Sequence, residues 1–390
     1  MNYNLDKHGN KISALGFGCM RFQKTMGIIN MNEAEKQVME AYNQGVNYFD
    51  TAYIYPGSES ALGQIVEKNG IRDNLYISTK FPHYLIRSVE ALEKTFVEQL
   101  KRLRTEYVDV YLIHMLTDIA TWNKLVAMGV LDWLEQKKRE GKIKQIGFSY
   151  HGNTDMFCQL IDAYDWDTCI VQYNYMDEHT QAGRKGIKYA SSKGIAVVIM
   201  EPLRGGNLVN KLPAEAKKIF ADYPKKHTPA QWAFKWLWNQ PEITCVLSGM
   251  NTMEMVLDNV NTASTTHHGD LTLEDERMLS EVANAINSKM KVKCTGCGYC
   301  VPCPMGVDIP GSFASYNRRF TEGKVGAFMD YMKCTAAKKD ATSASNCISC
   351  GKCQKHCPQS IDIPAELKNV QKEFENPVYK IMKKIFSKLM

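Results

Sequence analysis

The chain has 390 residues, is 44% hydrophobic, and carries 48 lysines and arginines against 42 aspartates and glutamates, a formal net charge of +6. This length predicts a large domain with a smaller one, or two to three ordinary domains, and the mild positive charge does not indicate a nucleic-acid partner. The first residues are polar, and no apolar run reaches the roughly 18 residues that cross a bilayer, so we expect a cytoplasmic protein without a signal peptide.

Short apolar or β-branched segments recur along the first 290 residues, with amphipathic stretches between them. Such alternation over about 250 residues predicts an α/β fold, a (β/α)8 TIM barrel. None of these segments is followed by G-x-G-x-x-G, which disfavours a Rossmann domain. The predicted strands are Gly16–Met20, Tyr48–Thr51, Leu75–Lys80, Val108–His114, Ile143–Ser149, Ile170–Gln172, Ile195–Met200 and Ile243–Leu247, and the helices between them include Asn32–Gln44, Ser88–Leu103 and Asp132–Glu140.

Polar residues stand where several of these strands end, and a barrel carries its chemistry at the C-terminal ends of its strands. Asp50 ends the second strand, Lys80 the third and His114 the fourth, and Tyr55 lies in the loop after the second. Each alone could have a purely structural role. An aspartate at a strand end often caps the next helix, a lone lysine is usually solvated, and a lone histidine is more often a hydrogen-bonded structural residue. Their convergence on one rim is much less expected by chance, so we predict a catalytic site there.

The segments that carry these residues resemble the aldo-keto reductase family. The resemblance covers about residues 3–285, and the four-residue set is specific. Its motifs are Asn47-Tyr48-Phe49-Asp50-Thr51-Ala52-x2-Tyr55 with Glu59, Ser78-Thr79-Lys80, Leu112-Ile113-His114, Gly147-x-Ser149, Val171-Gln172 and Pro202-Leu203.

The resemblance implies a reversible, NAD(P)H-dependent reduction of a small aldehyde or ketone to an alcohol. Tyr55 would protonate the carbonyl oxygen, and the charge of Lys80 would lower the pKa of that phenol. Asp50 would keep Lys80 charged and aimed, while His114 would orient the substrate oxygen.

The resemblance also implies a nicotinamide site. Tyr150 stands where the family usually has an asparagine, and Met200 where it commonly has a stacking aromatic. Gly249 and Met255 occupy the positions of a lysine and an arginine that grip the 2′-phosphate in NADP-preferring members, so we expect NADH or dual use. The predicted cofactor-binding residues are Ser149, Gln172, Met200, Pro202, Leu203, Gly205, Gly249 and Asn259.

Nine of the thirteen cysteines lie between Cys294 and Cys357, which marks a domain boundary near Lys291. Eight of them form two arrays, the first Cys294, Cys297, Cys300 and Cys303 and the second Cys347, Cys350, Cys353 and Cys357. The second array has the bacterial ferredoxin spacing, in which the fourth cysteine of a run ligates the other cluster, and the first array differs by one residue in its last gap. Two 4Fe–4S clusters are therefore predicted, one held by Cys294, Cys297, Cys300 and Cys357 and the other by Cys347, Cys350, Cys353 and Cys303.

Structural zinc is the alternative, although zinc sites usually pair two C-x2-C units across a longer gap. Cys334, between the arrays, is expected to be a small buried residue. A near-repeat follows both arrays, Val307-Asp308-Ile309-Pro310 against Ile361-Asp362-Ile363-Pro364, and indicates duplication. The predicted domains are the barrel at 1–290, a small, mainly helical ferredoxin-type domain at 291–372 and a basic amphipathic helix at 373–390.

Hydride transfer needs no iron, so the role of the clusters is a separate question. We favour electron exchange with an external ferredoxin or flavoprotein over a structural or oxidation-sensing role. The alternative function is an electron-transfer subunit whose barrel is a docking scaffold, and the intact four-residue set counts against it.

The C-terminal helix has lysines on one arc and apolar residues on the other. We expect the apolar arc to dock on the protein itself. Peripheral contact with an anionic membrane or an acidic redox partner is the less favoured alternative.

Overall fold

The computed structural model describes residues 1–152, 154–294, 296, 298–321, 323–336, 341–357 and 359–389, and for Thr321, Lys333 and 386–389 it describes the backbone alone. The chain divides into two compact units. The first comprises Met1–Gly205 and His227–Glu276, and the second Gly206–Lys226 and Arg277–Met390. The division falls inside the helix Leu273–Lys289.

A closed barrel of eight parallel strands in chain order forms the first unit, which confirms the predicted (β/α)8 fold. Two short antiparallel hairpins, Tyr3–Leu5 with Lys11–Ser13 and Lys24–Thr25 with Ile28–Ile29, were not predicted. The barrel strands β1 to β8 are Leu15–Gly18, Tyr48–Asp50, Tyr76–Phe81, Val108–Leu116, Ile143–Tyr150, Thr168–Gln172, Ala196–Met200 and Cys245–Ser248.

Several helices of this unit begin at side-chain caps and bury one face. Asn30 and Ser88 accept backbone N–H bonds in the first turns of their helices. In Val89–Leu103 the buried positions include Leu92, Phe96 and Leu103, the spacing of one helical stripe. The helices are Met31–Asn43, Ser58–Asn69, Val89–Leu103, Ile119–Ala127, Val130–Arg139, Thr154–Asp162, Gly183–Ser192, Pro229–Trp238 and Met253–Thr265.

Strand register brings the predicted site residues to one rim. Asp50 pairs with Ser78, Lys80 with Leu112, and Gln172 with Met200 across neighbouring parallel strands. Below that rim the barrel interior is filled with apolar side chains, so the barrel is a packed core and not a pore. This core contains Ile12, Tyr48, Val110, Leu112, Ile170, Val198, Cys245 and Leu247.

The second unit is mainly helical, as predicted for the cysteine-rich region. The near-repeat after each cysteine array is a repeated helix start, because the Asp308 carboxylate accepts the Gly311 N–H at 2.9 Å and the Asp362 carboxylate accepts the Ala365 N–H at 3.2 Å. The helices of this unit are Asn207–Asn210, Ala214–Asp222, Ile309–Thr321, Lys324–Thr335, Lys352–Lys355, Ile363–Phe374 and Pro377–Leu389.

The C-terminal helix Pro377–Leu389 docks on the second unit. Tyr379 is fully buried, and its hydroxyl lies 2.9 Å from Thr335 Oγ1 and 2.7 Å from Ser343 Oγ. Within the predicted apolar arc, Met382 packs on the core, whereas Ile381 is 60% exposed. The side chains of 386–390, which include part of that arc, lie outside the described residues. In the described part of the chain, no helix combines the length and apolar character needed to cross a membrane.

Replacing Tyr379 with alanine should therefore destabilise the second unit by about 3 kcal/mol, because a buried ring and its hydrogen bonds are lost. Val378, which is 55% exposed on the same helix, is the matched control, and Val378→Ala should change the free energy of unfolding by less than about 0.5 kcal/mol. Urea unfolding of the anaerobic holoprotein measures both. Equally small changes in the free energy of unfolding for Tyr379→Ala and Val378→Ala would show that the docking of the helix does not depend on the Tyr379 side chain.

Candidate active site and cysteine site

Lys80 and Asp50 form a buried ion pair at the centre of the rim. Lys80 Nζ lies 2.6 Å from both oxygens of Asp50 and donates to the Thr51 carbonyl at 2.7 Å. Ser78 Oγ donates to the same carboxylate at 3.1 Å. Burial alone would lower the pKa of Lys80, but the Asp50 carboxylate outweighs it and holds that pKa above its ordinary value.

Tyr55 stands against this pair. Lys80 Nζ lies 5.2 Å from the centre of the tyrosine ring, and the Tyr55 side chain is half-buried. Burial raises the pKa of Tyr55, the Lys80 charge lowers it, and the carboxylates of Asp50 and Glu201 raise it. The net direction is upward, so the expected lowering by Lys80 is present but smaller than the effect of burial. The phenol therefore stays protonated at neutral pH.

His114 faces Tyr55 from the end of β4, with ring centres 6.0 Å apart and planes at 86°. The register of β4 against β5 shifts between Ile113 and Leu116, and Met115 has φ +62°, so the strand pairing is irregular at His114. Burial and the Lys80 charge lower the pKa of His114 to about 2. His114 is therefore neutral at physiological pH and can donate one hydrogen bond.

This depressed pKa predicts acid sensitivity. In the unfolded chain His114 takes up a proton near pH 6.5, but the folded protein resists that proton down to about pH 2. The unfolded state thus binds more protons between these values, and the free energy of unfolding falls as the pH falls. Between pH 7 and pH 5, the free energy of unfolding should fall by about 2 kcal/mol less in His114→Gln than in the parent protein.

His268→Gln is the control, because it removes a histidine that is exposed and lies outside the rim. Unfolding by urea at the two pH values measures all three proteins. An acid-stability profile of His114→Gln that coincides with the parent profile would contradict the buried, neutral state of His114.

A second buried network supports the rim from behind. Glu59, which is 2% exposed, accepts hydrogen bonds from Thr79 Oγ1 at 2.6 Å and Gln99 Nε2 at 2.7 Å. Gln99 Nε2 also contacts the Lys80 carbonyl at 3.1 Å, and Arg102 pairs with Glu59 at 3.1 Å. These contacts fix the backbone that carries Lys80, which gives Glu59 of the sequence motif a structural role.

The predicted carboxamide-binding residues already have protein partners. Ser149 Oγ accepts the Met115 N–H at 2.8 Å. Gln172 Nε2 donates to Asp177 at 3.0 Å, and Gln172 Oε1 accepts from Gln181 Nε2 at 2.8 Å. Ser149 and Gln172 can still form further hydrogen bonds. The Ser149 hydroxyl accepts in the bond above and can still donate its own proton, and the Gln172 amide carries two N–H groups and two lone pairs.

The loops after β7 and β8 form the other part of the predicted cofactor site. Pro202 is buried and Leu203 half-buried, and Gly205 has φ +67° just beyond them. Met200 ends β7, and Asn259 Nδ2 donates to Ser248 Oγ at 3.0 Å behind the β8 loop.

Arg21, in the loop after β1, links these two loops and was not singled out by the sequence. A Cβ added at Gly249 would meet Arg21 Cδ at 2.8 Å, and one at Gly205 would meet Arg21 Nη2 at 3.1 Å. Arg21 Nη2 also lies 3.7 Å from Glu201 Oε1. The glycines therefore leave room for a cation beside loops that bind phosphate in many barrels.

His151, after β5, was also missed as a site residue. The backbone N–H of His151 donates to the Leu116 carbonyl at 3.2 Å. The imidazole Nδ1 of His151 lies 3.2 Å from Gln181 Oε1. Burial lowers the pKa of His151 to about 4. The charge that His151 would carry also contributes to the lowered pKa of His114, after burial and the Lys80 charge.

The cysteines of the second unit line two small concavities. Cys303 lines the first together with Cys347, Cys350 and Cys353. Cys357 lines the second together with Cys294 and Cys300. Each wall thus combines cysteines of one array with the last cysteine of the other, which is the exchange expected from the spacing. Cys297 lies outside the described residues.

The two arrays have matching backbones. Gly296 N–H points to Cys294 Sγ at 3.4 Å, and Ser349 N–H points to Cys347 Sγ at the same distance. Gly296 and Ser349 both have positive φ, and so do Gly298 and Gly351. Amides that donate to thiolate sulfur stabilise the charge of an iron–sulfur centre. This pseudo-symmetry extends the duplication seen in the sequence.

Cys334 contributes to neither wall among the described residues. It is half-buried, with its thiol 3.4 Å from the Tyr331 carbonyl. Leaving aside the undescribed positions such as Cys297, no three His, Cys, Asp or Glu side chains converge on a point where a single metal ion would sit. The described cysteines instead border the open concavities.

Comparisons with known proteins match both units. Residues 14–270 match the family described as "Aldo/keto reductase family", and residues 293–361 match "4Fe-4S dicluster domain". The chain is similar to L-galactose dehydrogenase of Arabidopsis thaliana, with 28% identity over 71% of this chain and 92% of that protein. It is also similar to Protein tas of Escherichia coli, with 25% identity over 67% of this chain and 92% of that protein.

Solved structures share the barrel fold. An aldo-keto reductase from Bacillus halodurans, in its holo form, has a TM-score of 0.61 at 21% identity and covers 73% of this chain and 97% of its own. An aldo-keto reductase from Klebsiella pneumoniae in complex with NADPH has a TM-score of 0.60 at 21% identity, covering 73% of this chain and 96% of its own.

Proposed function

Because the chain belongs to the aldo/keto reductase family and carries a C-terminal 4Fe–4S domain, we propose that it catalyses the reversible reduction of an aldehyde or ketone to an alcohol with NADH or NADPH. The observation that carries this proposal is the buried Lys80–Asp50 pair, with both oxygens 2.6 Å from Nζ, set beneath Tyr55 and beside His114. The residues of the rim meet the requirements of this reaction.

Tyr55 is the general acid. Its raised pKa keeps the phenol protonated at neutral pH, so a proton is available as negative charge develops on the carbonyl oxygen. Lys80 stabilises the phenolate that remains, and Asp50 holds Lys80 in place. Neutral His114 donates a hydrogen bond to the same oxygen and fixes its position.

A bound nicotinamide supplies the hydride. Ser149 and Gln172 would hold its carboxamide, and Met200 would pack on its ring. Pro202, Leu203, Gly205, Gly249 and Asn259 would border the rest of the cofactor, and Arg21, which lies against Gly205 and Gly249, would offer a cation to its phosphates. NADH or dual use stays our prediction, and a tenfold tighter dissociation constant for NADPH than for NADH would overturn it.

We infer that the eight cysteines would hold two 4Fe–4S clusters, one bordered by the Cys303 wall and the other by the Cys357 wall. The Cys303 wall and the Cys357 wall support the exchanged ligand sets. The clusters move one electron at a time, so we propose that they serve an external ferredoxin or flavoprotein and not the hydride step. The alternative is an electron-transfer subunit with the barrel as scaffold, and the complete ion pair at the rim favours the enzyme.

Anaerobic mixing separates these functions. The holoprotein should oxidise NADH or NADPH when an aldehyde is added, with no change in cluster absorbance during that turnover. Reduced ferredoxin or a reduced flavoprotein should then bleach the cluster absorbance. No oxidation of either cofactor with any member of an aldehyde and ketone panel would contradict the reductase, and clusters inert to every one-electron donor would contradict the partner.

A further inference from the structure

The turns that follow the two cysteine arrays have the same backbone conformation. Gly306 N–H donates to the Cys303 carbonyl at 2.9 Å. In the other half, Ser360 N–H donates to the Cys357 carbonyl at 3.1 Å. Gly306 has φ +68° and Ser360 has φ +50°, so both lie in the left-handed region. The residue before each of them therefore occupies an equivalent position in the duplicated sequence.

These two equivalent positions carry chemically different side chains. Met305 lines the concavity of the Cys303 wall, and Gln359 lines the concavity of the Cys357 wall. Gln359 Nε2 is buried and has no hydrogen-bond partner among the described residues. A buried N–H group without an acceptor destabilises a protein, so such a group beside a ligand site indicates that the bound ligand supplies the acceptor.

The sulfur atoms of an iron–sulfur cluster accept hydrogen bonds, and these bonds help to set its reduction potential. A cluster gains one negative charge on reduction, so a hydrogen bond from an N–H group to sulfur stabilises the reduced state more than the oxidised state. Methionine has no side-chain proton to donate. The backbone donors do not distinguish the two arrays, because the N–H groups of Gly296 and Ser349 both lie 3.4 Å from cysteine sulfur.

We propose that Gln359 Nε2 donates a hydrogen bond to a sulfur of the cluster bordered by the Cys357 wall, and that this bond raises the reduction potential of that cluster alone. The inference rests on the proposed function, which assigns one cluster to each wall. Met305 provides no such donor to the other cluster. The two clusters therefore differ toward a one-electron partner, although their cysteine arrays are related by duplication.

Redox titration of the anaerobic holoprotein, followed by EPR, tests this assignment. Gln359→Met gives one half of the duplication the residue of the other half. We expect it to lower the potential of one cluster by about 59 mV, a tenfold change in a one-electron equilibrium, and to leave the other potential as it is. Gln359→Glu keeps the size of the side chain but removes the N–H donor, so it should lower the same potential.

Met305→Leu is the matched control. It changes the equivalent side chain at the other concavity without removing a donor, so both potentials should stay at their parent values. A shift in Met305→Leu as large as that in Gln359→Met would show that any change beside a cluster has this effect, and it would overturn the role of the amide.

The hydrogen bond can also be detected in the parent protein by pulsed EPR. Dithionite-reduced protein labelled with ¹⁵N in its glutamine side chains should show a ¹⁵N coupling to a cluster, and both Gln359 variants should lack that coupling. Parent protein that holds about eight irons but shows no ¹⁵N coupling, or potentials that both Gln359 variants leave unchanged, would overturn the inference. Parent protein that holds clearly fewer irons would instead contradict the proposed pair of clusters, and with it this inference.

Discussion

Tyr55→Phe should lower kcat/KM for carbonyl reduction by about 10³-fold, or about 4 kcal/mol of transition-state stabilisation. The phenylalanine ring keeps the contacts with Lys80 and His114, so the change removes the proton donor alone. Dissociation constants for NADH and NADPH should stay within about twofold, because binding of the cofactor does not use the phenol proton. Steady-state rates and fluorescence titration measure the two quantities.

Tyr53→Phe is the matched control. Tyr53 lies two residues earlier, with its ring 4.4 Å from the Arg102 guanidinium, and its hydroxyl has no part in the proposed chemistry. This variant should reduce carbonyls at nearly the parent rate. Turnover by Tyr55→Phe at a rate close to that of Tyr53→Phe would disprove the acid assignment.

The parent enzyme offers an independent check of the same residue through pH. The acid is lost only as the pH rises through the pKa of Tyr55, which burial raises above its ordinary value near 10. Reduction should therefore hold level from neutral pH to about pH 10 and fall beyond it. A fall centred near pH 7 or 8 would assign proton donation to another group.

Removing Cys303 should abolish the cluster of the second cysteine array, although Cys303 belongs to the first. Cys303→Ala is expected to retain about four of eight irons per chain, since one of two 4Fe–4S centres loses a ligand. The double variant Cys303→Ala with Cys347→Ala should lose no more iron than the single variant, because both cysteines line one concavity. Cys303→Ala with Cys294→Ala should lose nearly all of it.

Cys334→Ala is the control and should keep full iron, because its thiol faces the Tyr331 carbonyl. Iron and sulfide analysis with EPR of the dithionite-reduced protein measures every variant. The reverse pattern, with additive loss for Cys303 and Cys347 and no additive loss for Cys303 and Cys294, would show that each array holds its own cluster.

The local sequence pattern was sufficient to predict the barrel and the cysteine arrays of this protein. The alternation of short strands and helices predicted the barrel, and the observed β3 and β4 lie within two residues of the predicted bounds. The reason is that period and strand length are properties of consecutive residues. The cysteine spacing likewise predicted that Cys303 stands with the second array and Cys357 with the first, and these are the concavities whose walls they line.

Other features depend on residues that are distant in sequence. The expected fall in the pKa of Tyr55 did not appear, because burial by the assembled rim exceeds the effect of Lys80. Arg21 was missed because nothing in its neighbours along the chain marks it, and His151 was not singled out although it follows Ser149 and Tyr150. Their partners, such as Gly249 and Gln181, come from other strands and loops.

By itself, then, the sequence determined the order of strands, the residues at their ends and the ligand spacing of the cysteines, because these are set by local periodicity and chain geometry. The tertiary structure alone decided the direction in which the pKa values of Tyr55 and His114 shift, the hydrogen-bond partners of Ser149 and Gln172, and the way the C-terminal helix docks. These depend on desolvation and on hydrogen-bond partners that only folding brings together.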